Sequence, residues 1–233
     1  MNNRLPIWEK IPSHITPKSS DEMKAIRSQV PQFSMPDGSE KTIKTGIVAG
    51  VGERFKTSSF GNYLMPTQSQ MDAVNCVQNW AQKVQDGLDT NLVLAGNHGT
   101  GKTHLATAVL RLLSLTGINS EIITFRDMML EIRSTYQSST KQSELMILQR
   151  LSSCDVLALD DIGKQRNSQS EQLSLYSLLD KRYSNKKPTI LITMLPGKAF
   201  CELLGEAALD RIRQGHLVWV ECSWNSFRIL GDE

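Results

Sequence analysis

The sequence predicts an α/β fold in which a parallel sheet is covered by helices, and three observations carry that expectation. The apolar run Leu92-Val93-Leu94-Ala95 leads into Gly96-Asn97-His98-Gly99-Thr100-Gly101-Lys102-Thr103, which satisfies the pattern G-x-x-x-x-G-K-[ST]. Four further runs, at 121–125, 156–159, 189–193 and 217–221, are apolar almost throughout and alternate with helical spacing, as strands buried on both faces do. The run at 156–159 also ends in Asp160-Asp161, so acids arrive beyond the carboxyl ends of the strands, where such sheets hold ligands.

Taken in order, residues 1–57 form a polar N-terminal region in which Pro6, Pro12, Pro17, Pro31 and Pro36 interrupt any long helix. Its one helix candidate is 21–30. Trp8, Ile11, Ile15, Phe33 and Phe55 are too many large apolar groups for a linker; they either pack as a small appendage or anchor a partner. The core is expected over 58–233. In it, Met71, Val74, Val77, Ala81 and Val84 form the buried stripe of a helix over 68–85, which Asp86-Gly87 ends. A helix over 102–115 follows the glycine-rich turn, with Leu105, Ala108, Val109 and Leu112 on its inner side. After the strand at 121–125, Arg126-Asp127 opens a helix to about Tyr136, and a polar loop at 138–141 precedes another helix ending at Leu151. Leu203, Leu204, Ala207 and Leu209 mark an amphipathic helix that closes at Asp210-Arg211-Ile212-Arg213.

Composition narrows the function classes. With 39% hydrophobic and 21% charged residues the chain reads as globular, and a net charge of +2 is too small to argue for a nucleic-acid partner by itself. No run reaches membrane-span length and the N-terminus lacks an apolar signal core, so the expected place is the cytoplasm, away from membranes. There Cys76, Cys154, Cys201 and Cys222, which are widely spaced, stay as reduced thiols.

A glycine-rich turn of this kind directs backbone N–H groups inward around a polyphosphate, which asks for residues without Cβ at Gly96 and Gly101. Gly96 through Thr103, with His104 next to them, are therefore the candidate binding residues for ATP or ADP. Lys102 would reach the outer phosphates, and Thr103 with Asp160 would hold Mg²⁺ through hard oxygen ligands. Asp161 either polarises the attacking water or caps the segment that follows. Thr193, at the end of the fourth strand, is placed to contact the γ-phosphate or orient water, while Met194 packs. Arg211 either faces the nucleotide of a neighbouring subunit or is an ordinary cationic helix terminus. Lys181-Arg182 and Lys186-Lys187 either touch DNA phosphates or form a solvated helix end.

The order of these motifs resembles the AAA+ ATPases of the DnaC-type bacterial and phage helicase loaders, over about residues 59–230. The resemblance is carried by Ser59-Phe60-Gly61-Asn62-Tyr63, by Gly99-Thr100-Gly101-Lys102-Thr103-His104-Leu105-Ala106 and by Ile123-Thr124-Phe125-Arg126-Asp127. It continues through Leu159-Asp160-Asp161-Ile162-Gly163, Asp180-Lys181-Arg182, Asp210-Arg211-Ile212 and Trp224-Asn225-Ser226-Phe227-Arg228. It implies an AAA+ P-loop core, ATP with Mg²⁺, and self-assembly on a replicative hexameric DNA helicase that is placed on single-stranded DNA. The N-terminal region would bind the helicase. The same resemblance matches Arg211 to the family's trans-acting arginine finger and Arg228 to its second sensor arginine in the nucleotide pocket. Two positions depart from the pattern: Asp161 replaces the usual Glu, and Met194 stands where the fourth strand usually supplies Asn. Both departures bear on hydrolysis, which is therefore expected to be slow and partner-stimulated. A transposition helper ATPase has a similar core, and an ATP-gated adaptor with little turnover is the alternative among binding proteins.

Overall fold

Five strands, β1 (Asn91–Gly96), β2 (Ser120–Thr124), β3 (Val156–Ile162), β4 (Thr189–Thr193) and β5 (Leu217–Cys222), form one sheet in the order β2-β3-β4-β1-β5. Every pairing in it is parallel. The computed structural model describes residues 48–136, 142–164, 168–214 and 216–227. Among them are six α-helices: α1 (Gln68–Gln85), α2 (Lys102–Leu115), α3 (Phe125–Ser134), α4 (Glu144–Ser153), α5 (Gln169–Ser184) and α6 (Gly197–Arg213). The helix candidate at 21–30 lies outside the described residues. No helix among those described is long and apolar enough to cross a membrane.

The period of two in a strand divides its residues between two cores. Leu92 and Leu94 of β1, with Ile190 and Ile192 of β4, face Val77, Trp80, Leu105 and Val109 of α1 and α2. Val93, Leu157, Leu159 and Leu191 face the other way, against Phe125, Ile147, Leu178 and Phe200 of α3 to α6. Both faces are therefore dry, as the apolar runs predict. Side chains also tie the layers together: the Asn91 amide donates to Ile212 O (3.0 Å) and accepts from the Thr189 N–H (2.9 Å), fixing the end of α6 beneath β1 and β4.

Helix starts follow local chemistry. Thr67 and Gln70 form a capping box at α1, and Ser168 and Glu171 do so at α5. At α3, Thr124 Oγ1 accepts from the Asp127 N–H at 3.0 Å. That cap ends β2 at Thr124, so Phe125, expected in the strand, is the first helical residue and packs into the core. α6 is broken at Gly205, whose φ of 72° is left-handed.

Three features depart from the sequence reading. β3 runs on through both acids to Ile162, and its register against β4 shifts between Leu159 and Ile162, which is a bulge. Val48 is buried in the core and Ala49 bridges Glu121, so the packed core reaches back ahead of residue 58. Arg182 is neither a phosphate contact nor a solvated helix end. It is buried with 1% of its surface exposed, and its guanidinium donates to the carbonyls of Leu151, Cys154, Asp155 and Pro188 and to Thr189 Oγ1. Its neighbour Lys187 pairs with Asp155 at 2.6 Å.

Candidate functional site

The carboxyl ends of β1, β3 and β4 open into a cavity of about 840 Å³. Gly99, Gly101, Lys102, Thr103, Asp160, Asp161, Thr193 and Met194 line it, as do His98 and His104. The sequence-predicted phosphate loop, acid pair and fourth-strand polar residue thus converge on one place.

The loop owes its shape to its glycines and to what packs behind it. Gly96 has φ 131°, and a Cβ there would meet the Cys222 carbonyl oxygen at 2.1 Å, so only glycine lets β5 pair at this point. Gly101, with φ 85°, precedes α2, and a Cβ on it would strike the Tyr63 ring at 2.6 Å. Tyr63 Oη and Trp224 Nε1 both donate to the Thr100 carbonyl, at 2.9 and 2.8 Å, and Phe227 N–H donates to Gly99 O at 2.9 Å. Burial pushes the Tyr63 phenol far above its ordinary range, so it stays a donor. Tyr63, Trp224 and Phe227 stand among the motif residues of the sequence, but nothing in their spacing shows that both ends of the core meet behind the loop.

Inside the cavity, Lys102 Nζ donates to the carbonyls of Gly96 (2.7 Å) and Asn97 (2.6 Å). Burial lowers its pKa, against the opposing pull of Asp160 and Asp161. Thr103 Oγ1 donates to Asp160 Oδ2 at 2.7 Å, and Asp160 Oδ1 accepts the Asp161 N–H at 2.7 Å. Burial raises the Asp160 carboxyl, and the Thr103 bond opposes it. A part-buried hydroxyl beside a buried carboxylate, next to the N-terminus of a 14-residue helix and one ammonium, suits a divalent cation carrying phosphate oxygens. Asp161 sits in the bulge with φ 60°, and its carboxylate pairs with Lys164 at 2.8 Å.

The remaining candidates are less direct. Thr193 Oγ1 donates to Ile162 O (2.7 Å) and accepts the Leu195 N–H (3.1 Å), so its hydroxyl clasps β3 to β4 at the cavity floor. His104 Nε2 is 3.0 Å from Ser59 O and its ring lies against Tyr63, which makes it part of the outer wall. Asn97 and His98 are exposed. Arg211 lies apart from this cavity's lining, bonded through Nε to Asp180 Oδ1 at 2.8 Å and stacked over the Tyr183 ring at 4.9 Å. Arg228 lies outside the described residues.

A parallel β2-β3-β4-β1-β5 sheet, with a lysine-threonine phosphate loop after β1 and an acid pair at the end of β3, defines an AAA+ P-loop domain. Residues 68–230 match the IstB-like ATP binding protein family, and the chain belongs to it. It is 33% identical over 231 residues to the replicative helicase loader DnaC of Escherichia coli (strain K12), covering 95% of this chain and 93% of that one. The crystal structure of the DnaC helicase loader matches with a TM-score of 0.65 at 22% identity, over 73% of this chain and 99% of that one. AMPPCP-bound DnaA from Aquifex aeolicus matches at 0.57 and 20% identity, over 71% of this chain and 50% of that one. At these identities the two structures speak for the fold.

Proposed function

We propose that this protein is an ATP-dependent loader that binds a replicative hexameric helicase and helps place it on single-stranded DNA. One observation supports the nucleotide part above all: Thr103 and Asp160 are bonded within the same cavity that Lys102 enters, a donor set suited to Mg²⁺ and ATP. The loader part is supported by similarity to a replicative helicase loader along almost the full chain.

In this reading Lys102 and the N–H groups opening α2 hold the outer phosphates, and Mg²⁺, held by Thr103 and Asp160, would neutralise phosphate charge. Asp161 orients the attacking water; one methylene shorter than Glu, it reaches less far, and turnover is slow and stimulated by the partner. Thr193 steadies the cavity floor against the terminal phosphate. Arg228 completes the pocket, and Arg211 serves the nucleotide of the next subunit when copies assemble on the helicase. Residues 1–57 supply the helicase-binding region. Because Val48 is buried, its removal is best made ahead of residue 48, leaving the core intact.

The test is ATP hydrolysis by the full chain alone and with cognate helicase plus single-stranded DNA. Stimulation by both partners, abolished in Lys102→Ala with folding checked by circular dichroism, is the expected result. Turnover indifferent to helicase but stimulated by a transposase would assign the protein to the transposition helpers instead. No turnover under any condition, with ATP still bound, would make it an ATP-gated adaptor.

A further inference from the structure

Lys164 has no place in the phosphate-loop pattern, yet it lines the same cavity as Lys102, Thr103, Asp160 and Asp161. The segment that carries it is a closed turn. Lys164 N–H donates to Asp161 O at 3.4 Å while its Nζ pairs with Asp161 Oδ1 at 2.8 Å. Asp161 occupies the left-handed region, a conformation that costs a residue with a Cβ and persists where the surroundings enforce it. The enforcing features are the bulge in β3 and Gly163, whose φ is 105° and whose missing Cβ makes room for Leu195. The strained turn therefore holds one carboxylate and one ammonium together at the mouth of the phosphate site.

Two further observations say what the ammonium can meet there. It lines the same cavity as the Lys102 ammonium, so both lysines serve one electrostatic site. In the same cavity lie Thr193, the last residue of β4, whose hydroxyl is committed to Ile162, and Met194 just beyond it, which has no polar group to offer a terminal phosphate. A half-exposed ion pair three residues apart is weak. A doubly charged terminal phosphate is the stronger partner for an ammonium on a flexible four-carbon stem.

We infer that Lys164 is a positioning residue shared between Asp161 and the terminal phosphate of ATP: with ADP it stays on Asp161, and with ATP it moves to the phosphate and frees the Asp161 carboxylate to orient water. The inference rests on the nucleotide-site reading given above. It gives the protein a way to tell a triphosphate from a diphosphate without a polar residue at position 194, and it couples that recognition to release of the hydrolytic carboxylate.

The test is the affinity of the full chain for Mg²⁺-AMPPCP and for Mg²⁺-ADP by calorimetry. In Lys164→Gln the AMPPCP affinity is expected to fall about tenfold, with ADP affinity unchanged within about twofold, because one charge-assisted contact to the terminal phosphate is lost. Lys164→Arg should restore most of the preference. Asp161→Asn removes the competing carboxylate and should strengthen AMPPCP binding by about threefold, a gain absent from the Lys164→Gln/Asp161→Asn double variant. An unchanged AMPPCP-to-ADP ratio in Lys164→Gln, or an equal loss for both nucleotides, would overturn the shared-lysine role while leaving the nucleotide site standing. Failure of the wild type to bind either nucleotide would overturn the site itself and the inference with it.

Discussion

At the scale of single residues, the phosphate loop depends on one carbonyl. Thr100 O is buried and accepts from both Tyr63 Oη and Trp224 Nε1, one donor from before the sheet begins and one from after it ends. Removing either donor leaves the other in place, so Tyr63→Phe or Trp224→Phe alone should cost about 1 kcal/mol of stability. Removing both strands a buried acceptor, and the double variant should be destabilised by about 1 kcal/mol more than the sum of the single changes. Trp224→Phe also removes ring volume, but that loss is common to both backgrounds and cancels in the cycle. Urea titration of the four proteins measures the coupling; strict additivity would show that the two donors act independently. ATP affinity should follow the same non-additive pattern if the loop binds phosphate as proposed, since that loop is the one these donors hold.

At the scale of elements, the amino edge of the sheet is stitched by Asp155, just ahead of β3. Its carboxylate accepts the Asn119 N–H at 3.0 Å and pairs with Lys187 at 2.6 Å, linking the turn after α2 to the turn after α5. Burial pushes this carboxyl up, but the Lys187 and Asn119 bonds outweigh it and leave the pKa lowered. A carboxyl lowered on folding stabilises fully above its unfolded pKa of about 4, and that stabilisation is lost as pH falls through the lower folded value. With nearly half of the Asp155 side chain exposed, the contribution is screened to under about 1 kcal/mol. Asp155→Asn should therefore be slightly less stable than wild type at pH 7 in urea titrations, with the gap closing as pH falls below about 4. A gap that persists there would mean that geometry, not charge, carries the link. The elements themselves were legible: α1 and α2 have the bounds their apolar stripes predict, and all five strands lie where the apolar runs stand. Apolar periodicity records burial, so it reveals whatever burial decides. It says nothing of the bulge that re-aims Asp161, which arises from a register difference between two strands. Nor does it show that Arg182, written like a surface cation beside Lys181, collects four backbone carbonyls and a threonine hydroxyl in the interior.

At the scale of the whole molecule, the candidate residues fall into two groups. Lys102, Thr103, Asp160 and Asp161 share one cavity, and their convergence was legible because a phosphate-loop pattern and an acid-ended strand must meet at the carboxyl edge of a parallel sheet. Arg211 stands elsewhere, on the last turn of α6, held against α5 by Asp180 and Tyr183. That placement suits a cation presented outward from a fixed helix pair, and it separates what each half of an interface would supply. If Arg211 serves a neighbour's nucleotide, Lys102→Ala and Arg211→Ala each hydrolyse ATP poorly when assayed alone. Mixed in equal amounts with helicase and single-stranded DNA, they form some interfaces in which an intact Lys102 site meets an intact Arg211. For random assembly about one interface in four is of that kind, so activity should recover to roughly a quarter of wild type, because a trans-acting arginine contributes several orders of magnitude to phosphoryl transfer. Light scattering must show that mixed assemblies form. With co-assembly established, activity at the single-variant level would place Arg211 outside the reaction, and its bond to Asp180 would then be a tie between α5 and α6 only. Asp180→Ala distinguishes the two roles independently: it should weaken stimulated hydrolysis by loosening the arginine, yet leave nucleotide affinity unchanged, since the cavity that Lys102 and Asp160 line includes neither Asp180 nor Arg211.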